Sequence, residues 1–247
     1  METKETIQED QYHFPYHHVT HESGNGFYLF RHLFWGLDHY TYIHYVIKEI
    51  MKHPFKSLAD VGCGEGRILS ELSILMPETS LQGYDISESA LYFARGFSKR
   101  PSFLIHDITS QAIDVPVEAI VSCEVVEHIK PEEVNSYCKH IADSLVDGGI
   151  LFITTPTTNL PVNSKHYQHF TQESLQKYLD PYFVVEDVAF LTVYNNWSRL
   201  LSKIISNRLY LSNIPTLNSW VLKTYRQKFL IGNKATGSRI YIRARKK

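Results

Sequence analysis

The sequence predicts an α/β domain built on a mainly parallel sheet, and three observations carry that prediction. Short β-rich runs alternate with helically spaced runs between Ser57 and Pro156. The first β-rich run ends in an acidic residue, Asp60, followed by glycines at every second position. The next run also ends in an acidic residue, Asp85. Alternation of this kind buries a sheet between helices on both of its faces. The 247 residues, 43% hydrophobic and 21% charged, have the make-up of a folded globular chain with length for one core and a modest appendage.

In chain order, residues 27–51 are crowded with Phe, Tyr, Trp and His and predict one or two helices over the open edge of a site, so that 1–52 reads as a lid. Strands follow at Ser57–Val61, Ser80–Asp85, Ser102–Ile105, Ala119–Cys123 and Ile150–Thr154, with helices at Arg67–Leu75, Glu88–Lys99 and Pro131–Leu145. Ser87 suits an N-cap, and Pro131 with Glu132 and Glu133 suits a first helical turn. A short crossover helix is expected around Ser110–Asp114. After the cap candidate Thr171 comes a helix to Leu179, then an apolar run over Tyr182–Val193. Residues 239–243 read as a terminal strand with Ile240, Ile242 and Ala244 inward and basic residues outward.

Between those last two strands lies an insert. Trp197, Leu200, Leu201, Ile204 and Ile205 repeat at helical spacing, with Arg199, Ser202, Lys203 and Ser206 opposite, which predicts an amphipathic helix. A second helix over Leu217–Leu230 sets Trp220, Val221 and Tyr225 against Lys223, Arg226 and Lys228. The organisation is a lid (1–52), a core (53–193), a basic insert (194–237) and a final core strand (238–247).

The net charge of −1 hides an uneven distribution. The last acidic residue is Asp187, and from Asn195 onward the chain carries twelve Lys or Arg, which leaves thirteen basic against twenty-six acidic residues ahead of it. A basic, aromatic segment of this kind suits an anionic membrane surface, a phosphate-bearing partner such as nucleic acid, or the protein's own acidic body. Cys63, Cys123 and Cys138 form no CxxC pair and read as reduced residues of a cytoplasmic protein. The first residues lack the features of a signal peptide, and no run has the length of a membrane span.

Glycines after a strand permit a tight turn and let a ligand approach the backbone, and the helix beyond offers unpaired N–H groups. A carboxylate at the end of the next strand can accept both hydroxyls of a ribose. Together with Asp107-Ile108 after the third strand and Glu124-Val125-Val126-Glu127-His128 after the fourth, the set resembles the class I S-adenosylmethionine-dependent methyltransferases over roughly residues 57–191. Dinucleotide folds space their glycines as GxGxxG, which is not seen here.

That resemblance implies a Rossmann-like seven-stranded sheet with an antiparallel final strand. It implies a cofactor site of Asp60, Gly62, Cys63, Gly64 and Gly66 around the methionine part, Asp85 and Ile86 at the ribose, and Asp107 and Ile108 beside the adenine, with Glu124 at its edge. Asp147-Gly148-Gly149 before the fifth strand and Thr155-Pro156 after it also suit the family.

Glu124, Glu127 and His128 fall at i, i+3 and i+4, so one helical turn would aim all three at the cofactor end of the sheet. Residues 165–171 supply His166 and His169 just past the fifth strand. The ExxEH pattern with a later histidine is similar to the divalent-metal site of quinone-biosynthesis O-methyltransferases and of small-RNA 2′-O-methyltransferases, which implies Glu124, Glu127, His128 and His166 as ligands for Mg²⁺, Mn²⁺ or Zn²⁺. Metal-free relatives share parts of the pattern, so Glu127, His128 and His166 are equally candidates for acid–base catalysis or for packing.

His13, His17, His18 and His21 lie in an aromatic segment read as a lid over the site, and Arg31 and Trp35 are candidates for the acceptor pocket. The function expected is methyl transfer from S-adenosylmethionine to a small-molecule acceptor, at an oxygen of a sugar, quinone precursor or secondary metabolite. Metal-dependent RNA 2′-O-methylation and an inactive cofactor-binding scaffold are the alternatives. Oligomeric state is not encoded in any feature of the sequence.

Overall fold

The structure is a computed structural model and describes residues 21–23, 26–28, 36–207, 210, 212 and 214–247. The segment with His13, His17 and His18 and the pocket candidates Arg31 and Trp35 lie outside the described residues. Strands β1 (His21–Ser23) and β2 (Gly26–Tyr28) form a small antiparallel hairpin where helix was expected from residue 27, and helix α1 follows over Gly36–Ile50.

The main unit is a seven-stranded sheet. Its strands are β3 (Ser57–Val61), β4 (Ser80–Asp85), β5 (Ser102–Ile105), β6 (Val117–Cys123), β7 (Leu145–Pro156), β8 (Phe183–Val193) and β9 (Gly237–Lys246). The order across the sheet is β5-β4-β3-β6-β7-β9-β8, and β9 alone runs antiparallel to both neighbours. The intervening helices are α2 (Arg67–Leu75), α3 (Glu88–Phe97), α4 (Val134–Asp143) and α5 (Gln172–Leu179), with α6 (Asn196–Ile205) and α7 (Pro215–Phe229) in the insert. The α/β class, the antiparallel last strand and the helical insert agree with the sequence.

Strand side chains alternate between two cores because successive Cβ atoms point to opposite faces. Ala59, Ile120, Leu151, Ile153, Ile240 and Ile242 pack with α4 and α5. Leu58, Val121, Phe152 and Tyr241 pack with α1, α2 and α3. Both faces are therefore covered, which corrects the reading of the final strand: β9 lies between β7 and β8, and its alternate residues Arg239, Tyr241 and Arg243 face a second core rather than water.

Capping explains several boundaries. The Ser87 hydroxyl accepts from the Ala90 N–H at 3.1 Å, and Thr171 with Ser174 forms a reciprocal box at the start of α5. No helix forms at Ser110–Asp114. The Asp107 carboxylate instead gathers the Thr109 N–H and the hydroxyls of Thr109 and Ser110 into a turn.

Helix α6 presents a different face from the one its spacing predicts. Ser198, Leu201 and Ser202 are buried, whereas Trp197 and Leu200 are exposed. The two serines fit the tight inner face because their hydroxyls donate to the carbonyls of Asn195 and Ser198 at 3.0 Å, which satisfies them without outside partners. No helix among the described residues is long and apolar enough to cross a membrane.

Candidate active site

Strands β3 and β6 are neighbours whose connections leave in opposite directions, and a crevice opens beyond the carboxyl ends of strands at such a point. Two cavities occupy it, of about 480 and 370 Å³. Gly62, Gly64 and Glu124 stand on the wall between them and line both.

The glycine loop is set by its backbone. Gly62 and Gly66 have φ of 75° and 74°, in the left-handed region. A Cβ on Gly66 would lie 2.9 Å from the Phe103 ring, and one on Gly62 would run into the Val125 side chain. The loop is tied to the next strand by the Gly62 and Cys63 N–H groups, which donate to the Tyr84 carbonyl at 2.7 and 3.0 Å. Asp85 completes the tie: its Oδ2 accepts from the Gly64 N–H at 2.8 Å and its Oδ1 from the Ser87 N–H at 2.9 Å. The carboxylate predicted to meet a ribose thus also holds the loop in shape.

The smaller cavity is lined by Gly62, Gly64, Asp85, Ile86, Asp107 and Ile108, which brings together most of the expected nucleoside contacts. Ile86 stands exposed at its rim and Ile108 is buried behind it. Asp107 spends its oxygens on Thr109 and Ser110. Burial opposes its charge, but those hydrogen bonds hold its pKa below the usual carboxylate value. Asp60 and Cys63 line the larger cavity instead. Asp60 is only 2% exposed, and burial, then the charge of Asp85, pushes its carboxyl up to about 8. The Cys63 thiol is pushed up by burial and packs into the core as a neutral group.

The acid–histidine motif follows β6. Glu124 has φ of 58°, a left-handed conformation that costs an ordinary residue roughly 1–2 kcal/mol. It is held there by its N–H donating to the Thr154 carbonyl at 3.0 Å and by its carboxylate, which accepts from the Thr154 hydroxyl at 3.1 Å and from Arg239 Nε at 3.0 Å. The Glu124 turn aims the next residues into a 3₁₀ helix over Val126–His128.

Glu127 is completely buried. Its Oε2 accepts from the Thr155 hydroxyl at 3.0 Å, and its Oε1 has no hydrogen-bond partner among the described residues. Burial, then the Glu124 charge, raises its carboxyl well above the usual range, against the pull of Thr155 and Arg239.

The loop after β7 folds back over this turn. The Tyr167 N–H donates to the Glu127 carbonyl at 2.8 Å, and His128 Nδ1 lies 3.1 Å from the Lys165 carbonyl. His166 Nδ1 lies 2.7 Å from His169 Nε2, whose Nδ1 lies 2.9 Å from the Leu160 carbonyl.

Carbonyl oxygens only accept, so with neutral rings both His128 and His169 carry their proton on Nδ1. His169 Nε2 is then an acceptor, His166 Nδ1 is its donor, and the lone pair of His166 sits on Nε2. Asn163 Nδ2 donates to that nitrogen at 3.2 Å. In these tautomers the unprotonated nitrogen is Nε2 in both His128 and His166, and in His166 it accepts from Asn163. Glu127, His128 and His166 each offer one ligand atom within 4.8 Å of the others. Glu124, expected as a fourth ligand, is not in this group because Arg239 and Thr154 take its carboxylate.

Sequence reasoning missed Arg239. Its guanidinium joins Glu124 to Asp38 on α1, with Nη1 2.6 Å from Asp38 Oδ2 and the group 4.3 Å above the Tyr42 ring. Burial opposes its charge, yet Asp38 and then Glu124 raise its pKa above the usual arginine value. Tyr225 of α7 donates to the other Asp38 oxygen at 2.9 Å. The available signal was an arginine flanked by Ser238 and Ile240 in a strand with apolar residues on both faces. His169 was noticed in the sequence but given no role.

The geometry agrees with what the chain is similar to. Residues 58–149 match the family model described as methyltransferase domain. The putative methyltransferase 235L of Invertebrate iridescent virus 6 is 25% identical over 169 residues, which is 65% of this chain and 59% of that one. The mitochondrial ubiquinone biosynthesis O-methyltransferase of Saccharomyces cerevisiae is 28% identical over 120 residues, 44% of this chain and 36% of its own. This chain therefore spans less than two thirds of the length of either curated relative. Among solved structures, the magnesium protoporphyrin IX methyltransferase of Synechocystis PCC 6803 with bound SAH superposes with a TM-score of 0.60 at 14% identity, over 98% of this chain and 100% of that one. The chain shares the overall fold of that methyltransferase structure, and its residues 58–149 match the methyltransferase-domain model.

Proposed function

We propose that this protein transfers the methyl group of S-adenosylmethionine to an oxygen of a small-molecule acceptor. The observation that carries the proposal is the pairing of two cavities across the glycine loop, one lined by the nucleoside contacts and the other by Glu127, His166 and His169, with His128 lining both. S-adenosylmethionine supplies a methyl group made electrophilic by its sulfonium. The acceptor oxygen forms its bond to that carbon as the carbon–sulfur bond breaks, and the protein's task is to align the two and to take the hydroxyl proton. His128 Nε2 is the base for that proton, since the Lys165 carbonyl keeps the ring's own proton on Nδ1. Three free cysteines, two of them buried, suit a reducing, cytoplasmic setting.

A second reading of the same cluster has its own support. A buried carboxyl oxygen without a partner beside two imidazoles, one of which would exchange its Asn163 hydrogen bond for the ion, is a donor set for a divalent cation such as Mg²⁺, Mn²⁺ or Zn²⁺. Glu127, His128 and His166 would hold it, with His169 as the outer partner that orients His166. Bound there, the cation would act as a Lewis acid that lowers the pKa of an acceptor hydroxyl. A small acceptor is the reading favoured over RNA, because the larger cavity is walled by α1 and the loop after β7, which confines it to about 480 Å³.

Calorimetric titration of S-adenosylhomocysteine, then of Mn²⁺, into the wild type, Asp85→Ala and Glu127→Gln tests both. Cofactor binding lost in Asp85→Ala is the expected result, and its absence in the wild type would overturn the proposal. Manganese binding lost in Glu127→Gln with cofactor affinity kept would favour the metal reading; no manganese binding leaves His128 as the base.

A further inference from the structure

The insert has no part in the chemistry above, and its surface is unlike the rest of the chain. Residues 194–236 hold seven Lys or Arg and no Asp or Glu. The inner faces of α6 and α7 are satisfied, because Leu201, Val221 and Tyr225 form a small core with Leu37 of α1. The outer faces are not: Trp197 is 72% exposed and Trp220 54%, and Leu200 and Ile214 are exposed as well. Arg199, Lys203, Lys223 and Lys228 are exposed on the same two helices. Among the described residues, none of these four lies within salt-bridge distance of a carboxylate.

We infer that the outer face of α6 and α7 is a docking surface for an anionic lipid bilayer. Single exposed apolar residues are ordinary, but indoles and aliphatics interleaved with cations that have no carboxylate partner among the described residues are the composition of a helix lying in a membrane interface. The cations complement lipid phosphates, and the indoles suit the headgroup level, where one edge stays wet. Aliphatic Leu200 and Ile214 gain from acyl chains and gain nothing from nucleic-acid bases, so the bilayer is favoured over RNA. The inner side of α7 is joined through Tyr225 and Asp38 to Arg239, which lines the larger cavity, so the docking helices and the site are one packed unit.

The test is co-sedimentation of the full chain with vesicles of phosphatidylcholine alone and of equal parts phosphatidylcholine and phosphatidylglycerol, at low and high salt. Binding to the anionic vesicles only, weakened by salt, is expected. Each cation near such a surface is worth about fivefold in partitioning, so Lys203→Ala with Lys223→Ala should weaken binding about 25-fold. Trp197→Ser with Trp220→Ser should weaken it further.

Melting temperature and S-adenosylhomocysteine affinity report whether the variants are folded. Should the tryptophan pair destabilise the insert, the two exposed lysines carry the test alone. No sedimentation with anionic vesicles, equal binding by the lysine variant, or tighter binding to polyuridylate than to vesicles would each overturn the inference. So would self-association of the wild type that the lysine variant abolishes while leaving vesicle binding intact. The measurement needs neither acceptor nor turnover, so its outcome is independent of the proposed reaction.

Discussion

Under the proposed function, Asp60 should make cofactor binding a proton-coupled event. Burial, then the Asp85 charge, raises its carboxyl from 3.8 to about 8, so at neutral pH in the free protein it is about nine-tenths protonated. S-adenosylmethionine bound as proposed would bring an ammonium and a sulfonium into the crevice that Asp60 lines. Ionising Asp60 one pH unit below its pKa costs about 1.4 kcal/mol, whereas a cation about 4 Å away returns about 4 kcal/mol at an effective dielectric of about 20. The charge wins, and binding should expel close to one proton.

Titration calorimetry near neutral pH, in two buffers of different ionisation enthalpy, reads that proton directly. The same linkage makes affinity rise by nearly tenfold per pH unit below about pH 8 and level off above it. Without ligand the sign is the reverse. The folded state keeps a proton that the unfolded chain loses near 3.8, so the contribution of Asp60 to stability is full below that pH and is lost as pH rises through about 8. Asp60→Asn should release no proton and should gain on the wild type in melting temperature on the alkaline side. Equal binding enthalpies in the two buffers, or undiminished proton release from Asp60→Asn, would refute the reasoning.

His128→Ala should lower turnover by roughly 10²–10⁴ while leaving S-adenosylhomocysteine affinity unchanged, as read by steady-state kinetics and calorimetry; unchanged turnover would remove His128 as the base. Gly62→Ala forces a left-handed backbone on a residue with a Cβ and drives that carbon into Val125, so cofactor affinity should fall at least about tenfold in the same titration. Arg239→Leu leaves the Asp38 and Glu124 carboxylates facing each other, each about a quarter exposed, and should cost about 2–4 kcal/mol in urea unfolding. Adding Asp38→Asn should recover part of that loss, and strict additivity of the two changes would show that the pair is not coupled.

The sheet was legible because its signals are local. Ser57–Val61, Ser80–Asp85 and Arg67–Leu75 are where alternation, terminal acids and helical spacing place them, and the Gly62–Gly66 turn needs no distant partner to be recognised. The histidines were legible as a motif, but the tautomers that make them donors depend on the carbonyls of Leu160 and Lys165, which no side-chain pattern encodes.

Arg239 was invisible for a different reason. Its partners Asp38 and Glu124 are remote in sequence, and an arginine at the end of an alternating strand reads as solvent-facing until a second core is known to cover that face. Helix α6 misled because spacing weighs apolar size, whereas Ser198 and Ser202 go inward by bonding to their own backbone.

The position of Arg239 bears on the order in which the molecule can come together. Strand β9 slots between β7 and β8, so the sheet is not closed on that side until the residues from 237 onward arrive. During synthesis the glycine loop, the Glu124 turn and α1 are all made earlier, and they can collapse locally on the parallel strands already present. Their cation comes last. Before it arrives, Glu124 lacks the partner that favours its left-handed backbone, and among the described residues Asp38 has only Tyr225 to bind. The nucleoside half of the crevice can therefore form on a nascent chain well before the half that would receive an acceptor, and the entropy of closing that long loop falls on the final step.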